Sequence, residues 1–175
     1  MYTALSASVS AAVKARPPER WAIDQVKYEH AGTDREVKFI TSQVMEAELP
    51  EAYFDGIFVS NFLEHLDGQE EVHEFLVRMY EVTAEGGRIA ILGPNFRFTA
   101  KEYFDYADHI VVLTHLAVAE HLHTAGFEVV SNTPRFLPYS FTGRLPASAG
   151  LTRAYLSMPL AWRFLGKQFL VIGQR

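Results

Sequence analysis

The sequence predicts an α/β fold, a doubly wound and mainly parallel sheet flanked by helices and incomplete on its amino-terminal side. Short apolar runs alternate with helical patterns along the chain. The run Phe54–Asn61 is apolar on both faces through Val59 and only then turns polar. A strongly periodic helical stretch separates it from a second such run, Arg88–Gly93. Strands that alternate with helices pack as a mainly parallel sheet with right-handed crossovers, and a strand covered on both faces reads as continuous apolar sequence.

The elements follow in order. Ala7–Ala15 suits a short helix, stopped by Arg16-Pro17-Pro18 because proline cannot continue helical hydrogen bonding. Arg20–Asp24 is a short apolar strand with an acid at its end, Val26–Glu36 a polar loop or broken helical turn, and Val37–Ile40 a second strand. Met45–Tyr53 is irregular around Pro50, and Phe54–Asn61 is the buried strand. Asp67 is expected to cap the next helix, with Glu70 completing a capping box. Val72, Phe75, Leu76, Met79 and Val82 form its apolar stripe, and Gly86-Gly87 is expected to close it. Arg88–Gly93 is a strand halted at Pro94-Asn95. Thr114 caps a further helix carrying Leu116, Ala119 and Leu122, which ends at Ala125-Gly126. Phe127–Thr133 is a strand. Helices are expected around Leu151–Ser157 and Leu160–Leu165, and Gln168–Ile172 closes the chain as a strand whose direction the pattern leaves open.

A chain of 175 residues can bury one core, so a single domain over 1–175 is expected, with 1–19 as a lead-in and 134–166 as a helical insertion before the last strand. Hydrophobic residues at 49% and charged residues at 21% are ordinary for a folded protein. A net charge of -5 without a basic run argues against nucleic acid as a partner, because neutralising phosphates needs clustered Lys and Arg. The absence of cysteine excludes disulfides, thiolate metal sites and cysteine nucleophiles. No stretch approaches the roughly 20 apolar residues of a membrane span. Met1–Val13 has no basic residue ahead of its apolar part and is interrupted by three serines, so it does not read as a signal peptide and a cytoplasmic protein is expected.

In open α/β sheets ligands lie beyond the carboxyl ends of the strands. That rule selects Asp24, Thr41–Gln43, Ser60–His65 and Gly93–Arg97. Asp24 suits a ribose diol, because one carboxylate can accept from two neighbouring hydroxyls; a solvated strand-end acid is the equal alternative. Asn61 and Glu64 can bond polar groups of a cofactor, and His65 can act as a base near neutral pH; alternatively these residues shape the turn into the next helix. Asn95, Arg97, Tyr103, His109 and Tyr139 are candidates on the substrate side. Tyr103, Phe104 and Tyr106 also read as packing residues of a flexible cap, and His109 as a surface residue. No metal is expected: His115, His121 and His123 are close in sequence, but neighbours two apart on a helix point to opposite sides, and no His-Glu-x-x-His pattern is present. Leu151–Leu165, with Arg153 and Arg163, reads as a helical layer over the site, with a lipid-facing lid as the other possibility.

Phe54-Asp55-Gly56-Ile57-Phe58-Val59-Ser60-Asn61-Phe62-Leu63-Glu64-His65-Leu66 resembles the fourth-strand motif of class I S-adenosylmethionine-dependent methyltransferases, which have a Rossmann-like fold. Met79–Arg88 resembles the family's next landmark, usually written with a Leu-Lys-Pro-Gly-Gly core; Leu92-Gly93-Pro94-Asn95 matches a common ending of its fifth strand, and Ala125-Gly126-Phe127 the lead into its sixth. The match spans roughly Arg20 to Thr133, and the four landmarks are specific as an ordered set. The resemblance implies S-adenosylmethionine as cofactor, Asp24 on its ribose, Ser42-Gln43 beside its adenine and Asn61 along its methionine part. It implies methyl transfer to a small-molecule or cell-surface-precursor acceptor, with His65 the first candidate for a base. Ser42 and Gln43 depart from the acidic residue usual there. The family's Gly-x-Gly-x-Gly loop should precede the Asp24 strand, yet the first glycine is Gly32. Glycine matters in that loop because the backbone must approach the cofactor closely. The alternative expectation is therefore a non-catalytic remnant of the fold serving as an interaction or dimerising module. A nicotinamide dehydrogenase ranks behind both, since it needs the same loop.

Overall fold

The computed structural model describes residues 19–24, 37–139 and 149–175. The expected Ala7–Ala15 helix and the Val26–Glu36 loop lie outside them, as does the stretch 140–148 of the expected insertion. The chain divides into two compact units, Met1–Leu49 and Pro50–Arg175.

In the first unit, β1 (Arg20–Asp24) and β2 (Val37–Thr41) form the two expected strands. They pair in parallel, with Asp24 opposite Thr41 at their carboxyl ends. The Lys38 ammonium sits 3.5 Å over the Trp21 ring, a cation–π contact that ties the pair together from one side.

The second unit is built on β3 (Phe54–Ser60), α1 (Gln69–Val82), β4 (Thr83–Pro94), the single turn α2 (Phe96–Thr99), α3 (His115–Thr124), β5 (Glu128–Thr133), α4 (Ala149–Leu156), α5 (Pro159–Leu165) and β6 (Gln168–Gln174). The sheet order is β3-β4-β6-β5. β3 and β4 are parallel, and β6 runs antiparallel to both β4 and β5. The last strand, whose direction the sequence left open, is thus the one reversed member. Helices α1 and α3 pack on each other, α1 against β4 and α3 against β5 and β6. The core lies between them and the sheet, around Val72, Leu76, Ile89, Val118, Leu122 and Val171. No helix among the described residues is long and apolar enough to cross a membrane.

Several local expectations shift. The α1 stripe is buried as expected, but the N-cap is Gly68 and Asp67 makes no side-chain cap bond. Because the helix starts one residue later, Glu71 and not Glu70 reaches back, accepting from the Asp67 backbone N–H at 2.6 Å. Gly86-Gly87 does not close α1, which ends at Val82 with Thr83 Oγ1 bonded back to the Met79 carbonyl. The glycine pair instead forms an irregularity inside β4, where the register against β3 slips, Gly86 takes φ +75° and both glycines bond the backbone of Arg175. β3 was expected to be buried on both faces, yet Phe58 is 47% exposed. Within the four-stranded sheet it is an edge strand, hydrogen-bonded to β4 alone. Leu116 was assigned to the buried stripe of α3 but is 54% exposed; the stripe is Val118 and Leu122, and a residue two positions before Val118 faces away from it. Thr114 caps α3 as expected, its hydroxyl accepting from Ala117 N–H.

Close approach demands glycine at Gly87 and Gly166, where a β-carbon would lie 2.8 Å from the Ala84 carbonyl oxygen and 2.6 Å from the Trp162 carbonyl oxygen; Gly126 is favoured by its backbone conformation, φ +107°. α4 and α5 are anchored through Tyr155, whose hydroxyl donates to the Phe136 carbonyl, and through Trp162, whose ring meets Phe136 and whose Nε1 donates to the Tyr155 carbonyl. Their apolar positions Leu160 and Phe164 are exposed.

Candidate functional site

The carboxyl ends of β1 and β2 bring Asp24 and Ser42 together. The Ser42 N–H donates to the Asp24 carbonyl at 3.1 Å, because the parallel ladder continues one residue past Thr41. The Ser42 hydroxyl donates to the Gln43 carbonyl, fixing the start of the turn in which Glu46 N–H also bonds Gln43. Asp24 and Ser42 are partly exposed and Gln43 is exposed.

At the end of β3 the backbone of Asn61 enters the left-handed region, with φ +47°. Asparagine tolerates that conformation better than most residues, and such strain concentrates at functional sites. It is held by the Asn61 N–H donating to the Leu92 carbonyl on β4 and by its side-chain amide donating to Ser60 Oγ.

A short 3-10 turn, Leu63–His65, follows. The Glu64 carbonyl accepts from the N–H groups of Ile110 and Val111, which pins the turn to the segment before α3. Glu64 is 2% exposed, and burial, with Asp108 adding to it, pushes its carboxyl from an ordinary 4.5 up to about 8. The buried carboxyl is therefore mostly protonated at neutral pH. His65 Nδ1 lies 2.9 Å from the Asp108 carbonyl and 3.4 Å from its carboxylate. A carbonyl can only accept, so the proton in this bond sits on Nδ1. Nε2 of the same ring lies 3.9 Å from Glu64 Oε1.

His109, read from sequence as a surface residue, is partly buried in an aromatic group. Its ring stacks on Tyr106 at 5.1 Å, meets Tyr103 at 4.7 Å and His65 at 5.0 Å, and its Nδ1 lies 3.4 Å from the Tyr139 hydroxyl. Burial lowers its pKa, and the neighbouring His65 lowers it further. Burial raises the phenols of both Tyr103 and Tyr139. Tyr103 is fully buried and donates to the Val111 carbonyl, so it packs as expected, whereas Phe104 and Tyr106 are exposed. Glu64, His65, Tyr103 and Tyr139 are thus brought together from distant parts of the chain. His109, a candidate with a surface position as its alternative, joins them, and Asp108 and Tyr106 are the members that sequence reasoning missed.

Asn95 and Arg97 stand apart from this group, at the end of β4. Asn95 is fully buried and its hydrogen-bonding capacity is spent internally: the amide donates to His115 Nδ1 and to the Pro134 carbonyl, and its oxygen accepts from Arg97 N–H as the cap of α2. It holds β4, α3 and the end of β5 together. Arg97 is exposed, and after burial it is the second cause lowering the pKa of His115.

Residues 7–91 match the model of a family described as a methyltransferase domain. The comparison with curated proteins gives no match. Among solved structures, the chain is similar to a SAM-dependent methyltransferase from Archaeoglobus fulgidus (TM-score 0.64, 18% identity, covering 89% of this chain and 75% of that one). It is also similar to an S-adenosylmethionine-dependent methyltransferase from Mesorhizobium loti (TM-score 0.61, 14% identity, 90% and 81% covered). A third is the 1,6-didemethyltoxoflavin-N1-methyltransferase of Burkholderia thailandensis, with bound 1,6-didemethyltoxoflavin and S-adenosylhomocysteine (TM-score 0.58, 19% identity, 89% and 60% covered). The chain has the Rossmann-like fold of the class I S-adenosylmethionine-dependent methyltransferases.

Proposed function

We propose that this chain transfers a methyl group from S-adenosylmethionine to a small-molecule or cell-surface-precursor acceptor. The observation that carries this is the match of residues 7–91 to a methyltransferase-domain model, with His65 at the end of β3 oriented through Nδ1 by Asp108. The matched methyltransferase domain model and the S-adenosylhomocysteine bound in the similar Burkholderia structure support the cofactor assignment.

Each unit carries groups that suit the cofactor's polar parts. In the first, Asp24 offers a carboxylate that can accept from two ribose hydroxyls, and Ser42 and Gln43 offer groups for the adenine. In the second, Asn61 supplies an amide for the methionine part, and Glu64 follows it in the turn pinned by the bonds from Ile110 and Val111. When bound, the cofactor supplies an electrophilic methyl on a sulfonium, a group that already leaves well. The residues then have two tasks, to orient the acceptor and to accept its proton at His65 Nε2. Tyr139 and Arg97 are the remaining candidates for contact with the acceptor.

Calorimetric titration of the protein with S-adenosylmethionine tests the reading. Saturable binding is expected, and Asp24→Ala should weaken it at least about tenfold, a loss of about 1.4 kcal/mol. Unchanged affinity in that variant would remove the ribose role, and no heat at millimolar cofactor would sink the enzyme reading. One observation favours a second reading, a non-catalytic module that dimerises or binds a partner: Ser42 and Gln43 stand where the resemblance calls for an acidic residue beside the adenine. That reading predicts the silent titration.

A further inference from the structure

Glu64, His65 and His109 present ligating atoms that all lie within 4.8 Å of one another. We propose that these three side chains bind a divalent transition-metal ion of the zinc type. Two imidazoles and one carboxylate are a recurrent zinc ligand set that leaves a fourth position open. The inference does not depend on methyl transfer.

The distances allow it. Ligand bonds of about 2.0–2.2 Å place two ligands of one ion about 3.4 Å apart at tetrahedral angles and no more than about 4.3 Å apart when opposed. Glu64 Oε1 and His65 Nε2, at 3.9 Å, already fall inside that span. Closing the remaining separations takes side-chain rotations of less than about 1.5 Å at the ligating atoms.

The outer groups are arranged as a metal site needs them. A ligating histidine usually donates its other N–H to a carboxylate or backbone carbonyl, which fixes the ring and its tautomer. His65 Nδ1 meets both at Asp108, the carbonyl at 2.9 Å and the carboxylate at 3.4 Å. The His109 ring is held by its stack on Tyr106 and by the nearby Tyr139 hydroxyl. Glu64 brings a carboxyl with a 3%-exposed side chain, a costly group to bury unless something compensates it. Separation along the chain hides this set from motif reading, whereas His115, His121 and His123, adjacent in sequence, do not form one. A nitrogen that ligates a cation cannot also accept a proton, so occupancy of this site and base chemistry at His65 exclude each other.

The test is titration of the chelator-stripped full chain with Zn2+ by calorimetry and with Co2+ by visible absorption. One equivalent of Zn2+ should bind, Co2+ should give ligand-field bands that Zn2+ abolishes, and Zn2+ should raise the melting temperature. His109→Gln and His65→Gln should each weaken Zn2+ at least about tenfold and lose the cobalt bands. His73→Gln, which alters the separate His73–His121 pair, should leave both unchanged. Should either ligand variant fail to fold by circular dichroism, Glu64→Gln replaces it with the same expected loss. Absence of Zn2+ binding, binding that survives the ligand substitutions, or binding lost in His73→Gln overturns the proposal.

Discussion

Phe127→Ala should lower the unfolding free energy by about 3–5 kcal/mol, the range for deleting a buried phenyl ring. Phe127 is almost fully buried where α3 hands over to β5. Its ring meets Tyr80 of α1 edge-on at 5.1 Å, and its β-carbon would lie 3.0 Å from one added at Gly173 on β6. One side chain therefore joins a helix and two strands, and the cavity left by alanine has little freedom to collapse. Chemical denaturation measures the difference. Leu116→Ala, at an exposed position on the neighbouring helix, should change stability by less than about 0.5 kcal/mol. Equal effects at the two positions would refute this account of the core.

The second large effect is a pH dependence centred on Glu64. In protein stripped of divalent cations its carboxyl holds a proton up to about pH 8, while the unfolded chain releases it near 4.5. Between those values the folded state binds more protons than the unfolded state, so stability falls as pH rises. The contribution is fully present below the lower value and is lost as pH passes the upper one. The gap, 8 minus 4.5, corresponds to about 5 kcal/mol as an upper bound. His65, His109, Asp108, Tyr103 and Tyr139 lie around the group and shape its surroundings. The informative quantity is therefore the difference between wild type and Glu64→Gln. The variant should be the more stable protein at pH 8, with a smaller advantage or none at pH 5. A constant difference across that range would show that Glu64 is not held protonated by burial.

Much of the fold was legible because periodicity survives in short windows. The stripe Val72, Phe75, Leu76, Met79 and Val82 fixed α1, and the apolar runs at Phe54 and Arg88 located adjacent parallel strands. The details that shifted depend on partners distant in sequence. Gly86-Gly87 reads as a helix stop until Arg175 returns to bond both glycines. Phe58 reads as buried until the sheet order makes β3 an edge strand. The direction of β6 has no local signature at all. The candidate site divides the same way. Asp24, Ser42, Asn61 and His65 were legible as polar residues ending apolar strands. Asp108 was not, and the place of His109 beside His65 was not, because only the tertiary bonds from Ile110 and Val111 to Glu64 carry that segment there. Asn95 looked chemically available in sequence, and its burial beneath His115 and Pro134 could be seen only in three dimensions.

The central claim is the proposal that this chain binds S-adenosylmethionine. It is tested most directly by amide chemical-shift mapping of the isotopically labelled chain on addition of S-adenosylmethionine. The account predicts saturable shifts at Asp24, Ser42-Gln43 and Ser60–His65, with the buried core of α1 and β6 unmoved. Shifts confined to other surfaces, or none at saturating cofactor, would contradict it.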